Sequence, residues 1–123
     1  KRVLIIDDAL TVRLYCRQIL EAEGFLVDEA INGMEGLEMA VQAKYDLFAV
    51  DINMQKMDGY GFLREARRQP EIAAVPALVM STEASEGDVE KAYEAGANFY
   101  FFKPIRPERF IAAVRVMTGA FVA

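Results

Sequence analysis

Five side chains that could take part in chemistry stand just after short apolar runs. Asp7 and Asp8 follow VLII, Asp51 follows LFAV, Ser81 follows ALVM and Lys103 follows NFYFF. Each of them alone has an ordinary explanation as a helix cap, a turn residue or an exposed charge, because Asp and Ser accept hydrogen bonds from free backbone amides. Together they offer three carboxylates, a hydroxyl and an ammonium group, which suit the binding of a metal cation beside an anion.

Three carboxylates gathered at one place need a positive charge nearby. Two like charges 4 Å apart repel by roughly 4 kcal/mol at an effective dielectric constant of about 20. Lys103 supplies one positive charge, and the oxygen ligands suit a hard divalent cation, Mg²⁺ before Ca²⁺, whereas zinc prefers nitrogen or sulfur. A metal beside Asp51 and opposite Lys103 would form a pocket for a phosphoryl group, with Asp51 as the nucleophile.

Composition excludes several other kinds of site. The 123 residues suit a single domain, residues 1–123, with 54% hydrophobic and 27% charged residues. The net charge of −5 argues against a surface for nucleic acid or anionic membranes. The chain has no histidine, which excludes His-ligated zinc, a Ser-His triad and a phosphohistidine carrier, so any histidine chemistry must come from a partner.

Three further expectations come from single residues and short stretches. The lone cysteine, Cys16, excludes an internal disulfide and is predicted to be a small buried residue. Arg64, Arg67 and Arg68 are predicted to form a solvated helix face. Neither a membrane span nor a secretory signal is recognisable, so we expect a cytoplasmic protein.

The apolar pattern alternates between short runs and helical spacing, which predicts an α/β protein built from five strand-helix units. Three of the strands are apolar throughout, as expected for central parallel strands that helices cover on both faces, and this favours a doubly wound sheet. Polar residues at the carboxyl ends of such strands meet in the crevice where the strand order reverses. The strands are predicted at 3–7, 25–28, 46–50, 76–80 and 98–102, and the helices around 12–20, 34–43, 62–66, 89–96 and 110–117.

The chain resembles the receiver domain of bacterial two-component response regulators, most of all the small CheY-type single-domain members. The resemblance is carried by VLIIDDALTVR, VDINMQKMDGYGFL, LVMSTEA, AGAN and FFKP, which occur in family order at family spacing. It covers essentially the whole chain. It implies a flavodoxin-like, five-stranded parallel sheet with the strand order 2-1-3-4-5.

The resemblance also implies a magnesium site. Asp8 would ligate Mg²⁺ directly, and Asp7 would act largely through water. Asp51 would be both ligand and phosphoacceptor, and the backbone carbonyl of Asn53 would complete the protein's share. The peptide bond before Pro104 is expected to be cis, which proline permits.

A conformational switch is implied by two further positions. Lys103 would pair with the phosphoryl group, and Ser81 would move to donate a hydrogen bond to one of its oxygens. The Tyr100 ring would turn inward when the Ser81 loop moves; the alternative is an aromatic ring packed on the sheet edge.

Asn53 and Glu83 match family positions that tune hydrolysis of the aspartyl phosphate, the alternative being two solvated polar side chains. We expect a lifetime of the aspartyl phosphate on the order of minutes or less.

Two residues depart from the family pattern. Gln55 replaces a usual proline and frees the loop around it, and Thr82 is bulkier than usual and could restrict the path of Tyr100.

The partners implied are a sensor histidine kinase or phosphotransfer protein and a downstream protein target. The target would read the face formed by the fourth helix, fifth strand and fifth helix; neither nucleic acid nor a membrane is expected. The protein would catalyse only its own phosphorylation and dephosphorylation. A chemotaxis-like pathway is expected, with relay or kinase regulation left open.

Two alternatives stay open. A phosphatase of the haloacid dehalogenase type also uses an Asp nucleophile and Mg²⁺, but it has a D-x-D motif on its first strand, where this chain has the adjacent pair Asp7 and Asp8. The second alternative is an interaction module of the same fold that is never phosphorylated.

Overall fold

The computed structural model describes residues 1–83 and 85–120, so residue 84 and the last three residues of the predicted domain 1–123 lie outside the described part. Five strands alternate with five helices along the chain. The strands are β1 Arg2–Ile6, β2 Leu26–Ala30, β3 Leu47–Asp51, β4 Ala77–Ser81 and β5 Phe99–Phe102, and the helices are α1 Leu10–Ala22, α2 Gly33–Gln42, α3 Gly59–Arg68, α4 Glu86–Ala95 and α5 Pro107–Thr118.

All neighbouring strands pair in parallel, in the order β2-β1-β3-β4-β5. This confirms the predicted doubly wound α/β fold and its strand order. The register aligns the strand ends: Ile6 pairs with Val50, Asp51 with Met80, and Ser81 with Phe102. The loops that follow β1, β3, β4 and β5 therefore leave the sheet at one edge.

Two apolar layers hold the helices on the sheet. Along β1, Leu4 and Ile6 face one layer, shared with α2, α3 and α4, while Val3 and Ile5 face the other, shared with α1 and α5. All four side chains have no solvent exposure, and each contributes roughly 1.5–3 kcal/mol through burial. Because both faces of the central strands are covered, their sequences are apolar without alternation.

Cys16 is fully buried between α1 and the sheet, as predicted. Burial, together with repulsion from Asp7, raises the pKa of its thiol to about 12. A thiol of that acidity stays protonated at neutral pH and behaves as a small apolar side chain.

Side-chain caps fix where three helices begin. Asn32 accepts a hydrogen bond from the Glu35 amide at the start of α2, and Asp58 accepts one from the Gly61 amide at the start of α3, both at 2.9 Å. Ser85 caps α4 in the same way. Such caps contribute about 1 kcal/mol each and hold the loop before the helix in place.

The prediction of a solvated arginine face on α3 is wrong for Arg67. Its guanidinium donates to the carbonyls of Val75 at 2.6 Å and Gly96 at 2.7 Å, and also to the carbonyl of Ala73 and the side chain of Asn98. Burial lowers the pKa of Arg67. Apolar periodicity did not reveal this role because the partners are backbone carbonyls in two loops, and the spacing of apolar residues carries no information about them.

The predicted second strand was too short. The sequence indicated 25–28, whereas β2 runs from Leu26 to Ala30. Its charged residues stay in the strand because Asp28 pairs with Arg2 and Tyr45, and Glu29 pairs with Arg13.

Within the described residues, no helix combines the length and apolar character of a membrane span.

Candidate functional site

Three carboxylates meet where β1 and β3 end. Asp51 is the last residue of β3, and Asp7 and Asp8 follow β1 directly. One carboxylate oxygen from each lies within 4.8 Å of the others. Asp7 and Asp51 are buried and Asp8 is exposed, so the cluster opens to solvent on the Asp8 side.

Lys103 lies beside the two buried acids, as the sequence predicted. Its Nζ is 3.0 Å from Asp7 Oδ2 and 3.2 Å from Asp51 Oδ1. Burial alone would lower the pKa of Lys103, but hydrogen bonds and attraction from the two carboxylates outweigh it and raise the pKa. The Lys103 amide donates to the Ser81 carbonyl at 2.8 Å, and the bond from Lys103 to Pro104 is cis.

The ionised form of Asp51 is disfavoured in this cluster. Burial, followed by repulsion from Asp7, raises its pKa from 3.8 to about 6, although Lys103 acts in the opposite direction. One lysine therefore does not balance three acids. A further positive charge is needed before Asp51 is as easily ionised as an ordinary aspartate.

The donor set fits a hard divalent cation. Three carboxylate oxygens within reach of one another are the ligands that Mg²⁺ prefers, and there is no sulfur or imidazole among them. Asp7, Asp8 and Asp51 would hold such an ion. Asn53 lies two residues beyond Asp51 in the following loop, and its carbonyl stays a predicted ligand.

Ser81, Glu83 and Tyr100 form a hydrogen-bonded group next to the acids. Ser81 Oγ accepts from the Glu83 amide at 3.0 Å, and the Tyr100 hydroxyl donates to the Glu83 carbonyl at 2.8 Å. The Tyr100 ring is buried, with 7% exposure. Asn53 donates from Nδ2 to Glu83 Oε1 at 3.3 Å, so the two residues predicted to tune hydrolysis lie side by side. Thr82, between Ser81 and Glu83, is exposed.

The loop from β3 to α3 contains Gln55 and an unusual backbone. Lys56 and Met57 both have positive φ, at 50° and 75°, a conformation that costs on the order of 1 kcal/mol for residues other than glycine. The start of α2 holds this loop: the Gly33 amide donates to the Met57 carbonyl and the Met34 amide to the Lys56 carbonyl. Contacts from α2 thus constrain the loop that lacks the usual proline.

Two residues that act on the site were missed from the sequence. Arg13 donates from Nη1 to the Asp7 carbonyl at 2.8 Å, and its spacing from Cys16 and Leu20 on the buried face of α1 was the available signal. Gly33 approaches the Met57 carbonyl so closely that a Cβ would lie 2.5 Å from it. A lone glycine at a helix start gives no comparable signal.

Comparison with known proteins identifies a family to which the chain is similar. The family model for the response regulator receiver domain matches residues 3–115. A probable chemotaxis protein CheY of Rhizobium etli is 32% identical over 120 residues, which cover 97% of this chain and 93% of that protein. The transcriptional regulatory protein ResD of Bacillus subtilis is 31% identical over 116 residues, covering 94% of this chain. The chain spans only 47% of the length of ResD.

Solved structures agree with this match. Chemotaxis protein CheY4 of Vibrio cholerae superimposes with a TM-score of 0.90 at 29% identity, covering 94% of this chain and 97% of that one. The receiver domain of sensor histidine kinase PA1611 from Pseudomonas aeruginosa also gives 0.90, at 25% identity, over 97% and 98% of the two chains. That structure has a magnesium ion coordinated in its active-site cleft.

Proposed function

The chain belongs to the response regulator receiver domain family, and from this membership we propose that it is a signalling switch turned on by phosphorylation of Asp51. The observation that carries the proposal is the meeting of three carboxylates with the Lys103 ammonium at one edge of the sheet. Such a set can hold a divalent cation and, beside it, a phosphoryl group. The proposed domain is residues 1–123.

Asp51 is the proposed nucleophile. A carboxylate oxygen of Asp51 forms a bond to phosphorus while the bond from phosphorus to the donor's imidazole nitrogen breaks, and the electron pair of that bond leaves with the imidazole. With acetyl phosphate the breaking bond is P–O and acetate leaves. Asp7, Asp8, Asp51 and the Asn53 carbonyl would hold Mg²⁺, which when bound offsets the charge of the transferred group.

Lys103 is proposed to bind the new aspartyl phosphate. Its ammonium lies 3.2 Å from Asp51 Oδ1 and can donate to an oxygen of the phosphoryl group without leaving Asp7. Ser81 is proposed to turn its hydroxyl toward another of these oxygens. Because Ser81 Oγ already accepts from the Glu83 amide, this movement would shift the loop that Tyr100 also contacts.

Receiver domains work with histidine kinases, and we propose that a kinase or phosphotransfer protein supplies the phosphoryl group. A downstream protein would read the face formed by α4, β5 and α5, in a chemotaxis-like pathway. We place the protein in the cytoplasm, where such kinases use ATP. It would not turn over an external substrate.

The test is incubation with acetyl phosphate and Mg²⁺, followed by mass spectrometry of the intact protein. We expect one phosphoryl adduct on the wild type and none on Asp51→Asn. The absence of an adduct on the wild type would favour an interaction module that is never phosphorylated. Continuous hydrolysis of a generic phosphate ester would favour a phosphatase.

The lifetime of the adduct tests the role of Asn53 and Glu83. The wild-type adduct should decay within about minutes after the phosphodonor is removed. Replacing Asn53 or Glu83 should change that rate without abolishing phosphorylation. A decay over many hours in Mg²⁺ would contradict the proposal.

A further inference from the structure

We propose that Arg13 is a positioning residue for the metal site, which fixes the carboxylate of Asp7 by holding its backbone. This inference rests on the proposed function, because it assigns a residue to the binding of the same cation. Within the part of the chain that the structure describes, Arg13 hydrogen-bonds to the Asp7 carbonyl and to Glu29, and not to Lys103 or to the carboxylates that would hold the metal. Its effect is exerted through the main chain of Asp7 and through Glu29.

The contact between Arg13 and Asp7 is short and buried. Arg13 Nη1 donates to the Asp7 carbonyl at 2.8 Å, and the Arg13 side chain is only 11% exposed. Arg13 lies in the first turn of α1, six residues after Asp7. The Arg13 side chain therefore reaches from α1 back to the residue that follows β1 and links the helix to the end of the strand.

Each polar atom of Asp7 has a partner. Its amide donates to the Ala30 carbonyl at 3.0 Å, and its carbonyl accepts from Arg13. Its Oδ1 accepts from the Ala9 amide at 2.9 Å, and its Oδ2 accepts from Lys103 at 3.0 Å. Ala9 and Lys103 thus hold the carboxylate directly, and Arg13 and β2 hold the backbone that carries it.

Glu29 fixes the orientation of Arg13. Glu29 Oε1 accepts from Arg13 Nε at 2.9 Å, and Glu29 Oε2 accepts from Arg17 Nε at 2.6 Å. Burial would raise the pKa of Glu29, but its bonds to Arg17 and Arg13 outweigh it and lower the pKa. Glu29 is therefore a carboxylate at neutral pH, and it holds one edge of the Arg13 guanidinium while the other edge reaches Asp7.

The planar fork of arginine is needed for this arrangement. Nε and Nη1 of one guanidinium donate to two acceptors on different elements at fixed angles, which a lysine ammonium on a flexible stem does not reproduce. Groups that hydrogen-bond to metal ligands without touching the metal lower the metal affinity by roughly tenfold or more when they are removed. Arg13 acts one step further from the metal, since it holds the main chain of Asp7 and not its carboxylate.

Arg17 offers a matched control on the same helix. It shares Glu29 with Arg13 and lies one helical turn further along α1, but its other bond goes to Glu21 on the surface. Removing Arg17 therefore removes one bond to Glu29 and leaves the bond from Arg13 to Asp7. A general loss of charge or of helix stability would affect the two arginine variants alike.

The experiment is a Mg²⁺ titration by isothermal calorimetry of the wild type and four variants: Arg13→Met, Arg13→Lys, Glu29→Gln and Arg17→Met. We expect Arg13→Met to weaken Mg²⁺ binding roughly tenfold. Arg13→Lys should not restore it fully, Glu29→Gln should weaken it to a smaller extent, and Arg17→Met should stay within about twofold of the wild type. At saturating Mg²⁺, phosphorylation of Arg13→Met by acetyl phosphate should approach the wild-type rate.

Thermal unfolding separates positioning from stability. If Arg13 only stabilises the fold, its loss will lower the melting temperature equally with and without Mg²⁺ and leave the Mg²⁺ affinity unchanged, which would overturn the inference. If Arg13→Met does not fold, an unchanged affinity in Glu29→Gln would overturn it instead. A wild type that binds no Mg²⁺ would overturn both this inference and the proposed function, whereas equal binding by wild type and Arg13→Met would overturn this inference alone.

Discussion

The hydroxyl of Tyr100 donates a hydrogen bond to the backbone carbonyl of Glu83 at 2.8 Å. The backbone amide of Glu83 donates to Ser81 Oγ at 3.0 Å. Both polar backbone atoms of Glu83 are thus held by side chains of two neighbouring strands. Ser81 is the last residue of β4, and Tyr100 lies within β5. A movement of Ser81 would release one of these bonds, and the other links that movement to the Tyr100 ring.

Tyr100→Phe tests this link. Removing one hydrogen bond from a buried ring should lower the free energy of unfolding by about 1 kcal/mol. Asp51 should still be phosphorylated by acetyl phosphate, but the change in backbone NMR shifts along α4 on adding beryllofluoride should be smaller. Tyr93→Phe is the control, since Tyr93 is 45% exposed. An unchanged response in Tyr100→Phe would contradict the link.

Asp51→Asn should stabilise the metal-free protein at pH 8. The folded-state pKa of Asp51 is about 6, against an ordinary value of 3.8, so the folded protein binds this proton more tightly than the unfolded chain. The resulting stability is present below about pH 4 and is lost as the pH rises through 6. Removing the charge should gain roughly 2–3 kcal/mol at pH 8.

Urea unfolding at several pH values measures this gain. It should shrink as the pH falls from 8 toward 4, because the wild-type Asp51 then becomes neutral as well. Adding Mg²⁺ at pH 8 should also reduce the gain by stabilising the wild type. A gain that is independent of pH would show that the charge of Asp51 is not its cause.

Lys103→Ala should leave Mg²⁺ binding intact or tighten it. The change removes a positive charge that lies 3.0 Å from Asp7 and 3.2 Å from Asp51, so the acids become a stronger site for a cation. The metal-free protein should lose stability, and beryllofluoride should no longer alter the Tyr100 region. Calorimetry and NMR measure both effects, with the exposed Lys44 as the control position; much weaker Mg²⁺ binding would refute the assignment.

Gly33→Ala should destabilise the loop between β3 and α3. An added Cβ would lie 2.5 Å from the Met57 carbonyl, which must move away and lose its hydrogen bond from the residue 33 amide. We expect a loss of about 1–3 kcal/mol. Gly87→Ala is the control: its Cβ would meet only Ser85 Oγ, at 3.9 Å, and it should stabilise α4 by roughly 0.5–1 kcal/mol. Denaturant unfolding distinguishes the two signs.

Arg67→Met should cost about 1–3 kcal/mol because it removes the donor to the partly buried carbonyls of Val75 and Gly96. Arg68→Met, on the same helix, should change stability by less than about 0.5 kcal/mol, since the Arg68 side chain is 73% exposed. Phosphorylation of Asp51 should persist in both. Equal losses in the two variants would mean that Arg67 acts only as a surface charge.

The order and type of the elements could be predicted from the sequence because central strands and amphipathic helices differ in their apolar spacing. The element ends could not be predicted as well. β2 continues past its predicted end at Asp28 to Glu29 and Ala30. Arg13 pairs with Glu29 there, and no local pattern reports such a partner. Arg67 was misassigned for the same reason.

By itself the sequence determined the chemistry of this protein: which residues carry charge, which acid ends β3, and which cation suits an all-oxygen site. These are properties of residue types and of local spacing, and each can be read without coordinates. Only the tertiary structure decided how the charges are held. Asp7 is held by Arg13 from the next helix and by Lys103 from the end of the last strand, and Gly33 supports the loop after Asp51. Which of these groups meet depends on how the elements pack.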